Sequence, residues 1–140
     1  MRSVPESCFV AVRVPEATTT HVTKVLEAGA EGVIFPRIST EEQARKAVSL
    51  CKYPPLGNRG VGVGRAQGYG NTFSEYLKVA NDRIACIVQI EDELAVENAG
   101  LISAVEGVDA LLGKGIPVNL RMIVDKDNVQ NLPELARFAI

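Results

Sequence analysis

The chain has 140 residues, 46% apolar and 23% charged, with a formal charge of −2 and the two signs interspersed. This describes a single globular domain, residues 1–140, able to bury about two-thirds of the surface its unfolded chain exposes. Disordered and collagen-like classes are excluded by composition, and the charge balance gives no reason to expect nucleic acid or an anionic membrane as partner.

The opening MRSVPESCFVAVRVPE holds a short apolar run interrupted by polar residues and Pro15, so it reads as neither signal peptide nor membrane anchor. Within it, CFVAVRVP (8–15) has the β-branched content of a strand. TTTHVTKVLEAGA follows with Val22, Val25 and Leu26 at helical spacing and Gly29 placed to stop the helix. GVIFPRI (32–38) predicts a second strand, buried on both faces because it is almost continuously apolar. In STEEQARKAVSLCKY, Ser39 and Glu42 are spaced as a capping box, and Ala44, Ala47, Val48 and Cys51 form the apolar stripe of a second helix.

After the glycine-rich stretch KYPPLGNRGVGVG (52–64), Thr72 and Glu75 suggest another capping box before FSEYLKVAN. RIACIVQIE (83–91) is the most apolar strand. DELAVENAGLISAVEG is helical with a weak point at Gly100, and VDALLG (108–113) is a fourth strand. Strands alternating with helices predict a parallel sheet and the α/β class. Past Gly113 the pattern degrades, with room for a fifth strand at 120–124 and a closing helix carrying Pro133 in its first turn.

In parallel α/β folds ligands gather where strands end, which singles out Arg13 and Pro15, Pro36 and Arg37, and Gln89 and Glu91. Gln89 and Glu91 stand two apart and leave the same face of a strand. Two readings stand. Either Glu91 binds a hard divalent cation, Mg²⁺ or Mn²⁺, with Gln89 on a water or substrate oxygen, or the strand ends at Gln89 and Glu91 caps the next helix. The glycine loop is neither a dinucleotide fingerprint nor a phosphate-binding Walker loop. Its Pro54, Pro55 and Gly57 make a rigid turn before Arg59, whose planar fork suits bidentate capture of a carboxylate. A surface arginine in a connecting loop explains it equally well. His21, the single histidine, reads as a solvent-facing helix residue, and Asp109 as a turn residue at the start of its strand. Cys8, Cys51 and Cys86 are widely spaced, without a CxxC pair, and read as reduced thiols of a cytoplasmic protein.

Taken in order, RVP, LEAGAEGVIFPRISTEEQARKAV, KYPPLGNRGVGVGRAQGYG, VQIED and SAVEGVDALLG resemble the class II pyruvate aldolases, the HpcH/HpaI aldolase and citrate lyase family. The likeness runs over about residues 10–113, and YPP-x-G-x-RG-x-G followed by QIE is a specific combination. The resemblance implies a (β/α)₈ barrel, of which this chain would hold about four parallel βα units plus a divergent tail, 114–140. It implies a metal-dependent carbon–carbon lyase that cleaves a 2-keto-3-deoxy acid to pyruvate and an aldehyde. Arg59 then takes the pyruvate carboxylate, Gln89 lies by the pyruvyl oxygen and Glu91 binds Mg²⁺ or Mn²⁺.

The family's second metal carboxylate falls in a GPxDLS motif; if IPVNL is its counterpart, Asn119 stands in that place as a weaker ligand. The acidic-then-histidine motif that supplies the family's catalytic base has no match here, and His21 does not supply one. A half-barrel leaves open edges and an uncovered sheet face. The expected partners are therefore a 2-oxo acid and either a second copy or a complementing chain. A non-catalytic half-barrel that binds a 2-oxo acid is the alternative.

Overall fold

The computed structural model describes residues 9–113 and 122–124. In chain order the elements are β1 (Ala11–Arg13), α1 (Thr19–Glu27), β2 (Gly32–Phe35), α2 (Glu41–Cys51), an irregular 3-10 turn (Arg65–Gly70), α3 (Phe73–Arg83), β3 (Ala85–Ile90), α4 (Glu93–Glu97), α5 (Ala99–Ser103), β4 (Ala110–Gly113) and β5 (Met122–Val124). The sheet order is β1-β2-β3-β4-β5. The first four strands are mutually parallel, as the alternation of elements predicts, and β5 closes the edge antiparallel to β4. The expected closing helix, Asn119 and Cys8 lie outside the described residues.

Register and pleat divide the sheet into two unlike faces. Val14, Val33, Phe35, Cys86, Val88, Ile90 and Leu111 share one face and are all but fully buried beneath the helices. Helix α1 covers this face through Val22 and Leu26, both wholly buried and each contributing about 2 kcal/mol of transfer free energy. Helix α2 covers it through Ala44, Ala47, Val48 and Cys51, the stripe read from its spacing. The other face carries Ala11, Arg13, Ile34, Ile87, Gln89, Ala110 and Leu112, most of them only partly buried. Strand β2 is therefore not buried on both sides. Its Ile34 faces the side that would line a barrel, which these residues leave uncovered.

Several local expectations shift by a residue or more. Helix α2 is capped by Thr40, whose hydroxyl accepts from Gln43 N while the Gln43 side chain accepts from Thr40 N. The box is thus Thr40–Gln43 rather than Ser39–Glu42, because Ser39 is drawn elsewhere. Thr72 stands at the start of α3 without a side-chain capping bond. The single helix expected after β3 breaks at Asn98 rather than Gly100, and Asn98 Nδ2 donates to Ser39 O at 2.9 Å across the loops. Gly29 ends α1 with φ +97°, as its position suggested. Cys51 and Cys86 are free, buried thiols. The Cys51 side chain beside it, together with burial, pushes the Cys86 thiol well up, so it stays neutral. No helix among the described residues is long and apolar enough to cross a membrane.

Candidate active site

Strand β3 delivers the two residues that the sequence singled out. It continues past Gln89 to Ile90, and Asp92, not Glu91, caps the following helix by accepting from Ala95 N at 2.7 Å. The reading of Glu91 as a helix cap is thereby excluded. Gln89 is 7% exposed, and among the described residues its Oε1 has no hydrogen-bond partner. A buried amide oxygen without a donor costs about 1–3 kcal/mol, an expense that a packing role does not explain.

The loop after β2 is laced to this end of β3. Ile38 N donates to Gln89 O at 3.2 Å, and Arg37 N donates to Glu91 Oε2 at 3.0 Å. Arg37 holds a left-handed backbone, φ 54°, which for a side chain of this size costs on the order of 1 kcal/mol. Ser39 ties both loops together: its hydroxyl donates to Asp92 Oδ2 at 2.6 Å, and its N–H donates to Gln43 Oε1 at 2.7 Å. The Ser39 hydroxyl, followed by the Ala95 N–H, holds the Asp92 carboxyl below its ordinary range. These bonds fix the backbone around Glu91.

Arg13 ends β1 on the same side of the sheet. It pairs with Ile34, which pairs with Ile87, so Gln89 lies two strands over and two residues further along the same face. Strand spacing and rise put their Cα atoms about 12 Å apart, a gap that an exposed guanidinium side chain and a three-carbon acid can span. Arg13, Gln89 and Glu91 thus share one face and one end of the sheet.

Arg59 does not join them. Its N–H donates to Lys52 O at 3.0 Å, and the Lys52 ammonium is bonded to Ile84 O, immediately before β3 begins. Ile84 and Glu91 are separated by about 23 Å of strand. The turn expected to present Arg59 is present. Gly57 N donates to Tyr53 O, and a Cβ at Gly57 would lie 2.3 Å from Lys52 O, so only glycine fits. The turn aims the guanidinium behind the sheet, 4.6 Å over the Tyr53 ring and 5.7 Å from that of Tyr76, whose hydroxyl accepts from Nη1 at 3.1 Å. Among the described residues, Arg59 Nε and Nη2 have no hydrogen-bond partner. Burial raises the Tyr53 phenol, and the Arg59 charge opposes that rise.

Lys52 and Asp109 complete the starting end of the strands. Lys52, 3% exposed, donates to Asn81 O at 2.8 Å and approaches Asp109 Oδ2 at 3.4 Å, and the same oxygen accepts from Cys86 N at 2.8 Å. Asp109 is a strand-end fastener, in keeping with its reading as a structural residue. His21, in the first turn of α1, shares a 2.8 Å hydrogen bond with Thr18 Oγ1. Sequence reasoning placed Arg13 at a strand end but gave it no role; the register sets it on the face that carries Gln89.

Four parallel strands, helices on one face and polar side chains where the strands end define an α/β partial barrel. The chain belongs to the HpcH/HpaI aldolase/citrate lyase family, which it matches over residues 3–114. A 4-hydroxy-2-oxovalerate aldolase of Rhodococcus jostii is 39% identical over 104 residues, covering 74% of this chain and 40% of the relative. A 2-keto-3-deoxy-L-rhamnonate aldolase of Salmonella gallinarum is 40% identical, covering 76% of this chain and 40% of the relative. A crystal structure of a family protein from Burkholderia cenocepacia superposes with a TM-score of 0.73 at 33% identity, covering 91% of this chain and 52% of that one. The chain therefore spans about two-fifths of the length of the curated relatives it matches.

Proposed function

We propose that this chain carries part of the active site of a metal-dependent lyase that cleaves a 2-keto-3-deoxy acid to pyruvate and an aldehyde. The observation that carries this reading is Gln89, a buried amide whose oxygen is unpartnered, two residues from Glu91 on the face that lines a barrel. Aldolase relatives of both kinds named above support the substrate class.

The donor chemistry fits a hard divalent cation. Mg²⁺ is ordinarily held by one or two carboxylates, with substrate oxygens and water completing the shell. Glu91 would hold it, Gln89 would face the substrate oxygen, and Asn119 remains the proposed weak second ligand. When bound, such a cation supplies Lewis-acid polarisation of a 2-oxo group. The chain's own residues do the rest of the binding. Arg13, rather than Arg59, is placed to take the substrate carboxylate, because it alone of the two shares the edge with Gln89. The Arg37 N–H holds one Glu91 oxygen and so orients the carboxylate.

The second reading is binding of a 2-oxo acid without turnover, for which the unpartnered Gln89 oxygen and the Arg13 guanidinium on the same sheet face would suffice. Thermal unfolding with Mn²⁺ and pyruvate tests both. Wild type is expected to gain stability with the pair, about 2.7 kcal/mol at a hundredfold excess over Kd. Glu91→Gln should abolish the gain, and Arg13→Met should abolish the part that depends on pyruvate. Arg59→Met should leave the pyruvate response in place. No gain with either ligand overturns the proposal. A gain without pyruvate release from a 2-keto-3-deoxy acid selects the second reading.

A further inference from the structure

Two carboxylates stand side by side where β3 ends, and the structure treats them differently. Asp92 is held by both oxygens: Oδ1 accepts from Ala95 N at 2.7 Å, and Oδ2 accepts from the Ser39 hydroxyl at 2.6 Å. The first bond is what a helix cap makes. The second adds nothing to the cap. It reaches across to the loop after β2, and a hydroxyl this close to a carboxylate oxygen makes a short, charge-assisted bond. Glu91 meets the same loop through a backbone group, the Arg37 N–H, which donates to its Oε2 at 3.0 Å.

Ser39 is 9% exposed, and its N–H, hydroxyl and carbonyl are all engaged. The N–H donates to Gln43 Oε1 in the first turn of α2, and the hydroxyl donates to the residue that caps α4. The carbonyl accepts from Asn98 Nδ2 at the break between α4 and α5. Three elements thus converge on one small residue, two positions beyond Arg37. Between the two, Ile38 N donates to Gln89 O. The Arg37 N–H meets Glu91 from a left-handed backbone, φ 54°, which a residue of this size keeps only where its surroundings over-determine it. The bonds around Ser39 supply that constraint.

We infer that Ser39 is a positioning residue for the Glu91 carboxylate. It fixes the Arg37 N–H against Glu91 and engages Asp92, so that Glu91, and not its neighbour, is presented to a divalent cation. Ser39 does this without touching cation or substrate. The inference rests on the reading of Glu91 as the metal ligand, and two measurements separate the one from the other.

The first needs no metal. An N–H bonded to a carboxylate resonates downfield in the proton NMR spectrum, and Glu91→Gln marks where the Arg37 amide falls once that charge is gone. Ser39→Ala should move the Arg37 amide toward the Glu91→Gln position, with the circular dichroism spectrum unchanged, and Ser39→Thr, which keeps the hydroxyl, should restore it. Asn98→Ala removes a different bond of the same clasp and should move the amide the same way. Its effect should not add to that of Ser39→Ala, because both act through one constraint.

The second is the affinity for Mn²⁺ alone, read from the electron paramagnetic resonance of the free ion. Ser39→Ala should weaken it about tenfold, the lower end of what an indirect partner of a metal ligand contributes, and Ser39→Thr should recover it. If Ser39→Ala does not fold, Asn98→Ala carries both measurements. A wild-type chain that does not bind Mn²⁺ overturns the metal reading and this inference with it. Mn²⁺ binding that neither variant weakens, or an Arg37 amide that neither variant moves, overturns this inference alone.

Discussion

The two ends of the sheet use buried polar groups in opposite ways. Where the strands begin, Lys52 is enclosed by the carbonyls of Asn81 and Ile84 and by Asp109, whose second duty is to accept from Cys86 N. The donors and acceptors around Lys52 are matched across α2, α3, β3 and β4. Where the strands finish, Gln89 keeps an unmatched oxygen, and Arg37 is held in a costly backbone conformation beside Glu91. A matched network stabilises, whereas an unmatched buried acceptor costs stability. Arg59 tempers the contrast: it too has unmatched nitrogens, but two tyrosine rings stack against its charge and offset part of that loss.

Substitutions at the two ends should separate these roles. Lys52→Met strands two carbonyls and a carboxylate, and chemical denaturation should show a loss of about 3 kcal/mol with no specific effect on ligand response. Gly57→Ala drives a methyl into Lys52 O, and the same measurement should show a loss of about 2 kcal/mol. Gln89→Leu should act in the other direction, raising the stability of the unliganded chain by about 1 kcal/mol while removing its response to pyruvate. A loss of stability on Gln89→Leu would break the comparison.

The smallest effect is at Ser39. Asp92 has a lowered carboxyl pKa in the folded chain, so its contribution is present above the ordinary carboxylate range and is lost as pH falls through the lowered value. Ser39→Ala should move the Asp92 titration, followed by NMR, upward toward that ordinary range and flatten the acid limb of stability.

Much of this was legible before any coordinates. Strand and helix periods predict the βα alternation, and the stripe Ala44, Ala47, Val48 and Cys51 is buried as its spacing requires. Gln89 and Glu91 stand out because a carboxylate and an amide at period two on an apolar strand are conspicuous in one dimension; that they share a face follows from the same spacing. Arg13 could not be assigned a role, since its relation to Gln89 exists only through the register of two intervening strand pairs. The rigid turn before Arg59 was legible too, but a turn fixes a direction without telling toward which end of the sheet it leads. The displaced cap at Thr40 and the helix break at Asn98 go with the bonds that tie Ser39 to Asp92 and Asn98, more than fifty residues away. Local preference has no access to such bonds.

The orientation of β5 constrains how this sheet can grow. A strand that runs counter to its four predecessors interrupts the strand–helix–strand winding by which parallel barrels are extended. New parallel units spliced beyond it would meet the wrong polarity. The three-residue β1 is the opposite border, and there the existing direction is still available for continuation. A split-barrel design that aims to complete the ring should therefore join its missing units through β1.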